Sequence, residues 1–209
     1  MDSVTRSSFF FSNAFLTGLT LITLVEALRT PSQRLRNLLN IETSVSFVAS
    51  LFYSFFLQKI DDGRITLTQI TPYRYLDWAI TTPLLLLVLM MFLRTPVHLS
   101  TFLIVAALNY GMLASGYLGE TDQISKLSGS AIGFLFFAAL IGLLLYTYAS
   151  GFTRVDTLIF SVFTLVWSLY GVVYWLDEKN KNLAYNALDV ISKVFFGLFI
   201  WVYYSHVFA

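Results

Sequence analysis

The chemistry of this chain is read outward from Lys193. It sits among the apolar residues 191–197, too far from either end of its hydrophobic run to reach the membrane surface easily. Asp189 precedes it by four residues, a spacing that stacks both side chains on one helical face. In another apolar run, Arg74, Asp77 and Thr81 fall at i, i+3 and i+7, again on one face. Glu42, Ser46, Ser50 and Tyr53 form a third polar stripe. An ionisable residue at mid-membrane costs roughly 2.5–3.5 kcal/mol on insertion scales, so several kept in one chain need a reason. Ion pairs that only fix helix register are one reason, but buried pairs are poor stabilisers compared with apolar packing. Chemistry is the better one. A desolvated lysine loses its proton readily and attacks a carbonyl, and the Schiff base it forms can carry a proton. A carboxylate about 4 Å away favours that proton by about 4 kcal/mol at an effective dielectric constant near 20. Change the geometry and the proton passes to the carboxylate, so one lysine and two acids make a proton switch.

The elements that must position these residues are membrane spans. Of 209 residues, 57% are hydrophobic and only 12% charged, too little charge to cover a soluble domain of this size. The apolar residues come in long runs rather than in core-facing stripes. Seven runs can cross about 30 Å of hydrocarbon at ~1.5 Å per residue. They are residues 9–28, 36–58, 72–93, 97–116, 127–149, 154–176 and 183–207. Thr30-Pro31-Ser32 ends the first. Asp61-Asp62-Gly63-Arg64 and a β-rich stretch, 65–70, read as a short hairpin, separate the second from the third. Later breaks fall at Arg94-Thr95-Pro96, Gly119-Glu120-Thr121-Asp122, Ser150-Gly151 and residues 177–182. Short loops predict antiparallel neighbours in one bundle, so the expectation is an all-α membrane protein with a single domain over residues 1–209. There is no second domain, low-complexity segment or internal repeat in this reading. The polar stretch 1–8 lacks a cleavable signal pattern, and the first span is expected to be retained.

Composition also excludes. The net charge of +1 gives no reason to expect nucleic acid or a polyanionic substrate. With no cysteine, disulfides and thiolate catalysis are out, and two histidines, His98 and His206, make no metal site alone. Arg29, Arg34, Arg36, Arg94 and Arg154 fall on one side of the membrane, against Arg6, Lys59, Arg64, Lys126, Lys179 and Lys181 on the other. That count does not orient the chain. The acidic residues Asp61, Asp62, Glu120, Asp122, Asp177 and Glu178 all lie on the second side, which is therefore taken, with the N-terminus, as extracellular.

The residues 73–84, Tyr-Arg-Tyr-Leu-Asp-Trp-Ala-Ile-Thr-Thr-Pro-Leu, closely resemble the third-helix signature of microbial rhodopsins. Residues 188–194, Leu-Asp-Val-Ile-Ser-Lys-Val, resemble the seventh-helix signature with its retinal lysine. Trp167-Ser168-Leu169-Tyr170 resembles the sixth helix, and Met112 with Gly116 the fourth. The resemblance covers the whole chain in helix order, and small size and short loops look most like the viral branch. It implies the seven-transmembrane-helix bundle of the microbial rhodopsin type and all-trans retinal as cofactor. It implies that Lys193 carries the retinal Schiff base, that Asp77 is counterion and proton acceptor, and that Asp189 is the second counterion. Arg74 would hold Asp77 ionised and steer proton release, with Thr81, Tyr53 and Tyr170 in support. Tyr75, Trp78, Thr82, Leu85, Met112, Ser115, Gly116, Phe134, Trp167 and Tyr174 would line the retinal pocket, Trp78 and Trp167 on either side of the polyene. Without the family motifs, such aromatics read simply as packing or interface anchors. Asn109 has a pocket-side reading and an equal one as a helix–helix hydrogen-bonding residue.

Departures from the pattern shape the functional expectation. Proton pumps of this family usually carry a carboxylate eleven residues after the acceptor, and here that position is Val88. Reprotonation is then slow or comes from another group, with Glu42 the candidate donor or gate. The equal alternative for Glu42 is a lipid-interface or helix-start carboxylate near Arg36. Gly171 replaces the usual kinking proline of the sixth helix and bends it less directively. Asp77 argues against an inward chloride pump, and Asp77, Thr81 and Val88 together lack the sodium-pump pattern. The expectation is a non-enzymatic, light-driven ion transporter, foremost an outward proton pump. A light-gated cation channel along the Glu42–Tyr53 stripe is the alternative, and a slow photosensor the third. The partners expected are the lipid bilayer, the transported H+ or other cation, and further copies of this chain, since family members commonly form rings of protomers.

Overall fold

The computed structural model of the chain describes residues 2–93 and 97–205. The sequence break at Arg94-Thr95-Pro96, His206 and the expected end of the last span at Val207 lie outside the described residues. The helices are α1 (Ser3–Arg29), α2 (Gln33–Asp61), α3 (Leu67–Leu93), α4 (Leu99–Glu120), α5 (Lys126–Tyr148), α6 (Arg154–Val173), α7 (Glu178–Asp189) and α8 (Phe196–Ser205). A 3-10 turn, Ala149–Gly151, follows α5, and a π-helical stretch, Val190–Phe195, joins α7 to α8 into one last span. Seven described spans are long and apolar enough to cross a membrane.

The helix starts are written in the sequence. Asp2 accepts from Thr5 N at 2.9 Å, Ser125 from Ser128 N at 3.0 Å, and Asp177 from both Lys179 N and Asn180 N at 3.1 Å. These side chains satisfy backbone N–H groups that have no intrahelical acceptor. Thr153 and Asp156 complete a reciprocal capping box at α6. The hairpin expected at 65–70 is corrected: among the described residues there is no strand, and α3 begins at Leu67. The Gln69 side chain accepts from Thr66 N at 2.9 Å, as the last residue of a Thr-x-x-Gln box does, and this local cap overrides the β-branched composition. The helix therefore runs through Pro72 rather than starting there.

Two compact units are resolved by backbone proximity. The first holds α1, α2, α3 as far as Leu85, and the chain from Trp175 onward. Its core gathers Phe9, Leu16, Leu19, Ala49, Tyr53, Phe56, Ile70 and Val194, with Phe9 and Phe56 edge-on at 5.9 Å. Ala27, Leu35 and Leu39 form a second cluster flanked by Trp201 and Tyr204. The second unit runs from Leu86 to Tyr174. There α4 and α5 approach closely through glycine: a Cβ on Gly129 would meet Ser115 O at 2.8 Å and Gly119 Cα at 3.0 Å. Lipid is as apolar as leucine, so such close backbone approach, rather than escape from water, is what holds spanning helices together.

Candidate functional site

The first unit brings the lysine and both acids together. Lys193 lies inside the π-helical stretch and is 1% exposed. Its Nζ donates to Asp77 Oδ2 at 3.1 Å and stands 3.5 Å from Asp189 Oδ1. Both carboxylates are fully buried. They are not equally satisfied. Asp189 receives the Tyr53 hydroxyl at 2.8 Å, Trp78 Nε1 at 3.2 Å and Arg74 Nη1 at 3.4 Å. Asp77 Oδ1 has no hydrogen-bond partner, and the Thr81 hydroxyl donates instead to the Asp77 backbone carbonyl at 2.9 Å.

Arg74, which the sequence reading gave the task of holding Asp77 ionised, forms its carboxylate contact at hydrogen-bond distance with Asp189, Nη1 to Oδ2 at 3.4 Å. Its Nη2 donates to Asn186 Oδ1 at 2.8 Å and Asn182 Oδ1 at 3.2 Å, and its Nη1 to Tyr53 at 3.1 Å. The rings of Phe9, Tyr53, Phe56, Trp78 and Tyr185 surround the guanidinium with centroids at 5.6–6.0 Å. Beyond Arg74, Asn186 Nδ2 donates to the Ser8 hydroxyl at 2.9 Å, so the polar chain continues to the N-terminal end of α1. Sequence reasoning missed Asn182 and Asn186. A signal existed: Asn182, Asn186, Asp189 and Lys193 recur at i, i+4, i+7 and i+11, one face of a helix.

Trp78, expected only as a pocket wall, also bonds Asp189, and its ring meets Tyr75 at 5.2 Å and Tyr185 at 4.9 Å. The Thr82 hydroxyl donates to Trp78 O at 2.6 Å, and Leu85 is buried one turn on. In the second unit Trp167 is buried and stacks on Phe163 at 4.5 Å. Ser115 is buried with its hydroxyl on Gly111 O at 2.6 Å, while Met112, Gly116 and Tyr170 are half-buried. Phe134 is 39% exposed, and the tip of its ring occupies the place a side chain at Gly171 would take. Tyr174 is buried with its hydroxyl donating to Lys126 O at 3.4 Å beside Gly119 and Gly129. Burial, with Glu120 and Asp122 nearby, pushes its phenol up to about 12.

Glu42 does not lie at a helix start. Because α2 begins at Gln33, Glu42 is in its third turn, fully buried, with neither carboxyl oxygen hydrogen-bonded. Arg36 is engaged elsewhere, donating to Thr30 O at 2.7 Å and Ala27 O at 3.3 Å at the end of α1. Val88, at the usual donor position, is fully buried.

A cofactor bound through an amine deep in a bilayer needs a buried lysine, a compensating negative charge and an apolar surround. Lys193, the pair of carboxylates and the buried Trp78 and Tyr185 rings fit that requirement. The family model for bacteriorhodopsin-like proteins matches residues 4–207. The chain belongs to this family, the microbial rhodopsins, whose chromophore is retinal. Its fold class is accordingly the all-α, seven-spanning-helix architecture of microbial rhodopsins. Among solved structures, the crystal structure of viral rhodopsin OLPVRII superposes with a TM-score of 0.94 at 39% identity, covering 99% of this chain and 100% of that one. The green-light absorbing proteorhodopsin of Gamma-proteobacterium EBAC31A08 is 27% identical over 149 residues, 63% of this chain. The chain spans about 60% of the length of the curated relatives it matches. Halorhodopsin, a light-driven chloride pump, has a TM-score of 0.81 at 20% identity over 99% of this chain and 98% of its own. The shared fold therefore does not choose the ion, and the choice rests with the side chains.

Proposed function

We propose that the protein is a light-driven outward proton pump in which Lys193 holds all-trans retinal and Asp77 accepts the proton. Retinal, joined to Lys193 Nζ, supplies the light-driven change of shape that reorients this nitrogen and its proton. The observation that carries the reading is the unequal satisfaction of the two carboxylates. Asp77 has an oxygen with no donor, so it takes a proton without giving up a hydrogen bond. Asp189 holds three donors, each weakened if its charge is neutralised, and remains the counter-charge. Arg74, Asn182, Asn186 and Ser8 continue the polar path toward the N-terminal side. The acidic residues gathered on that side support placing it outside the cell, and the direction of transport follows.

Glu42 returns the proton to Lys193 in place of the carboxylate that Val88 lacks. Its complete burial and two unpartnered oxygens support this reading, because a lone carboxyl is buried at far lower cost as the neutral acid than as the anion. The homo-oligomer remains part of the proposal on family habit alone. A second reading, a light-gated cation channel, is favoured by one observation: Glu42, Ser46, Ser50 and Tyr53 are all buried along one face of α2. Photocurrent recorded across a voltage range separates them. A pump current keeps its sign throughout; a current reversing at the equilibrium potential of a cation would replace the pump with the channel.

A further inference from the structure

Neither oxygen of the buried Glu42 carboxyl has a hydrogen-bond partner among the described residues, so something other than hydrogen bonding fixes its place. That place is defined by Gly197, four residues beyond Lys193 and on α8. A Cβ built on Gly197 would collide with Glu42 Oε1, approach Glu42 Cδ to 3.0 Å and meet Leu19 Cδ2 at 2.8 Å. Leu19 is itself in the core at 1% exposure, so its methyl also gives way only by displacing neighbours. The Glu42 carboxyl is buried at 0% exposure and meets the Cβ through two of its atoms, so any shift of it is made against surrounding side chains. Alanine is ordinarily the more favourable residue in a helix interior, so a glycine here is retained against local preference.

We propose that Gly197 is a positioning residue: having no side chain, it opens the slot that seats the Glu42 carboxyl against α8, one turn past Lys193. The seat sets the approach of the carboxyl toward the lysine along the inner face of the last span. Its use in proton return rests on the reading of Glu42 as donor, whereas the slot itself does not. Any side chain at 197 pushes the carboxyl away, and shortening the acid by one methylene makes room again.

The test is a set of variants in lipid nanodiscs. In the retinal-free protein, Gly197→Ala lowers the thermal midpoint when Glu42 is present and leaves or raises it in a Glu42→Ala background. The same sign and size in both backgrounds overturns the slot. In the infrared spectrum, the carboxyl band assigned to Glu42 by its loss in Glu42→Gln shifts in Gly197→Ala; an unmoved band overturns the proposal. With retinal, Gly197→Ala slows recovery of the resting pigment about tenfold, as a misplaced proton-transfer group does, and Glu42→Asp added to it restores much of the rate. If Glu42→Gln alone leaves recovery unchanged, the donor reading falls, while the midpoint and the infrared band still decide the slot. Should Gly197→Ala not fold, folding of Gly197→Ala with Glu42→Ala supports the slot, and failure of both assigns the collision to Leu19 and overturns it.

Discussion

Replacing Asp77 by asparagine removes one charge and keeps the shape of the side chain, so its effect follows from what Asp189 can do alone. Asp189 lies 3.5 Å from the lysine nitrogen, against 3.1 Å for Asp77, so distance alone does not disqualify it. Its three donors do. A hydrogen bond to a charged group contributes about 1.5–3 kcal/mol and a neutral one about 0.5–1.5, so neutralising Asp189 forfeits about 1–1.5 kcal/mol at each of Tyr53 and Trp78, and loss of the ion pair with Arg74 forfeits at least as much as either. The sum, about 3–4.5 kcal/mol, disfavours Asp189 as acceptor by roughly 10² to 10³ at about 1.4 kcal/mol per factor of ten. Asp77→Asn therefore transports at about 1% of the native rate or less, and its absorption moves to the red because a counter-charge beside the nitrogen is gone. The assay is illumination of vesicles loaded with the variant, following external pH with and without a protonophore, at matched pigment absorbance. Acidification above about a tenth of the native rate would mean that Asp189 gives up its donors cheaply and serves as acceptor in place of Asp77.

Further outcomes follow from the same geometry. Glu42→Gln slows return of the proton to the lysine nitrogen by about 10²-fold, the lower end of general acid–base contributions, read as the decay of the deprotonated pigment after a flash; an unchanged photocycle removes Glu42 as donor. Tyr174 stays neutral in the folded protein up to about pH 12, whereas an unfolded tyrosine ionises near 10. Its contribution to stability is therefore whole below pH 10 and is lost as pH rises from 10 to about 12. An ultraviolet tyrosinate titration should lose its latest phase in Tyr174→Phe, and an identical titration would place that hydroxyl in water. At the acid end, Thr5 N–H and Lys179 hold Asp2 down to about 2. The support this carboxylate gives at the start of α1 is present above its ordinary range and lost as pH falls through about 2, so Asp2→Asn should flatten thermal stability measured between pH 4 and pH 2.

How much of this was legible depends on the range over which each signal acts. Hydropathy and local capping act within a few residues, and they placed all seven spans, most ends falling within a few residues of the observed ones. The early start of α3 was readable too, since Thr66 and Gln69 carry a capping-box spacing, but the β-branched residues around them obscured it. The π-helical turn at Val190–Phe195 leaves no mark in composition, because no glycine or proline interrupts it. Asp77, Asp189 and Lys193 stood out because charge in an apolar run is rare. The partners of Arg74 did not, since asparagine costs less than a charge to bury and whether it meets a guanidinium 108–112 positions away is decided by helix packing. The enclosure of Glu42 by Leu19 and Gly197 likewise belongs to three helices at once, and no single segment records it.

The function proposed for this protein depends on the Lys193 amine being the attachment point for retinal between Asp77 and Asp189. Adding all-trans retinal to the purified protein and to its Lys193→Ala variant, with acid denaturation to trap the bound form, tests it directly. A visible absorption band and a trapped retinal adduct are expected in the native protein and neither in the variant. A colourless native protein, or a variant that keeps the band, would contradict it.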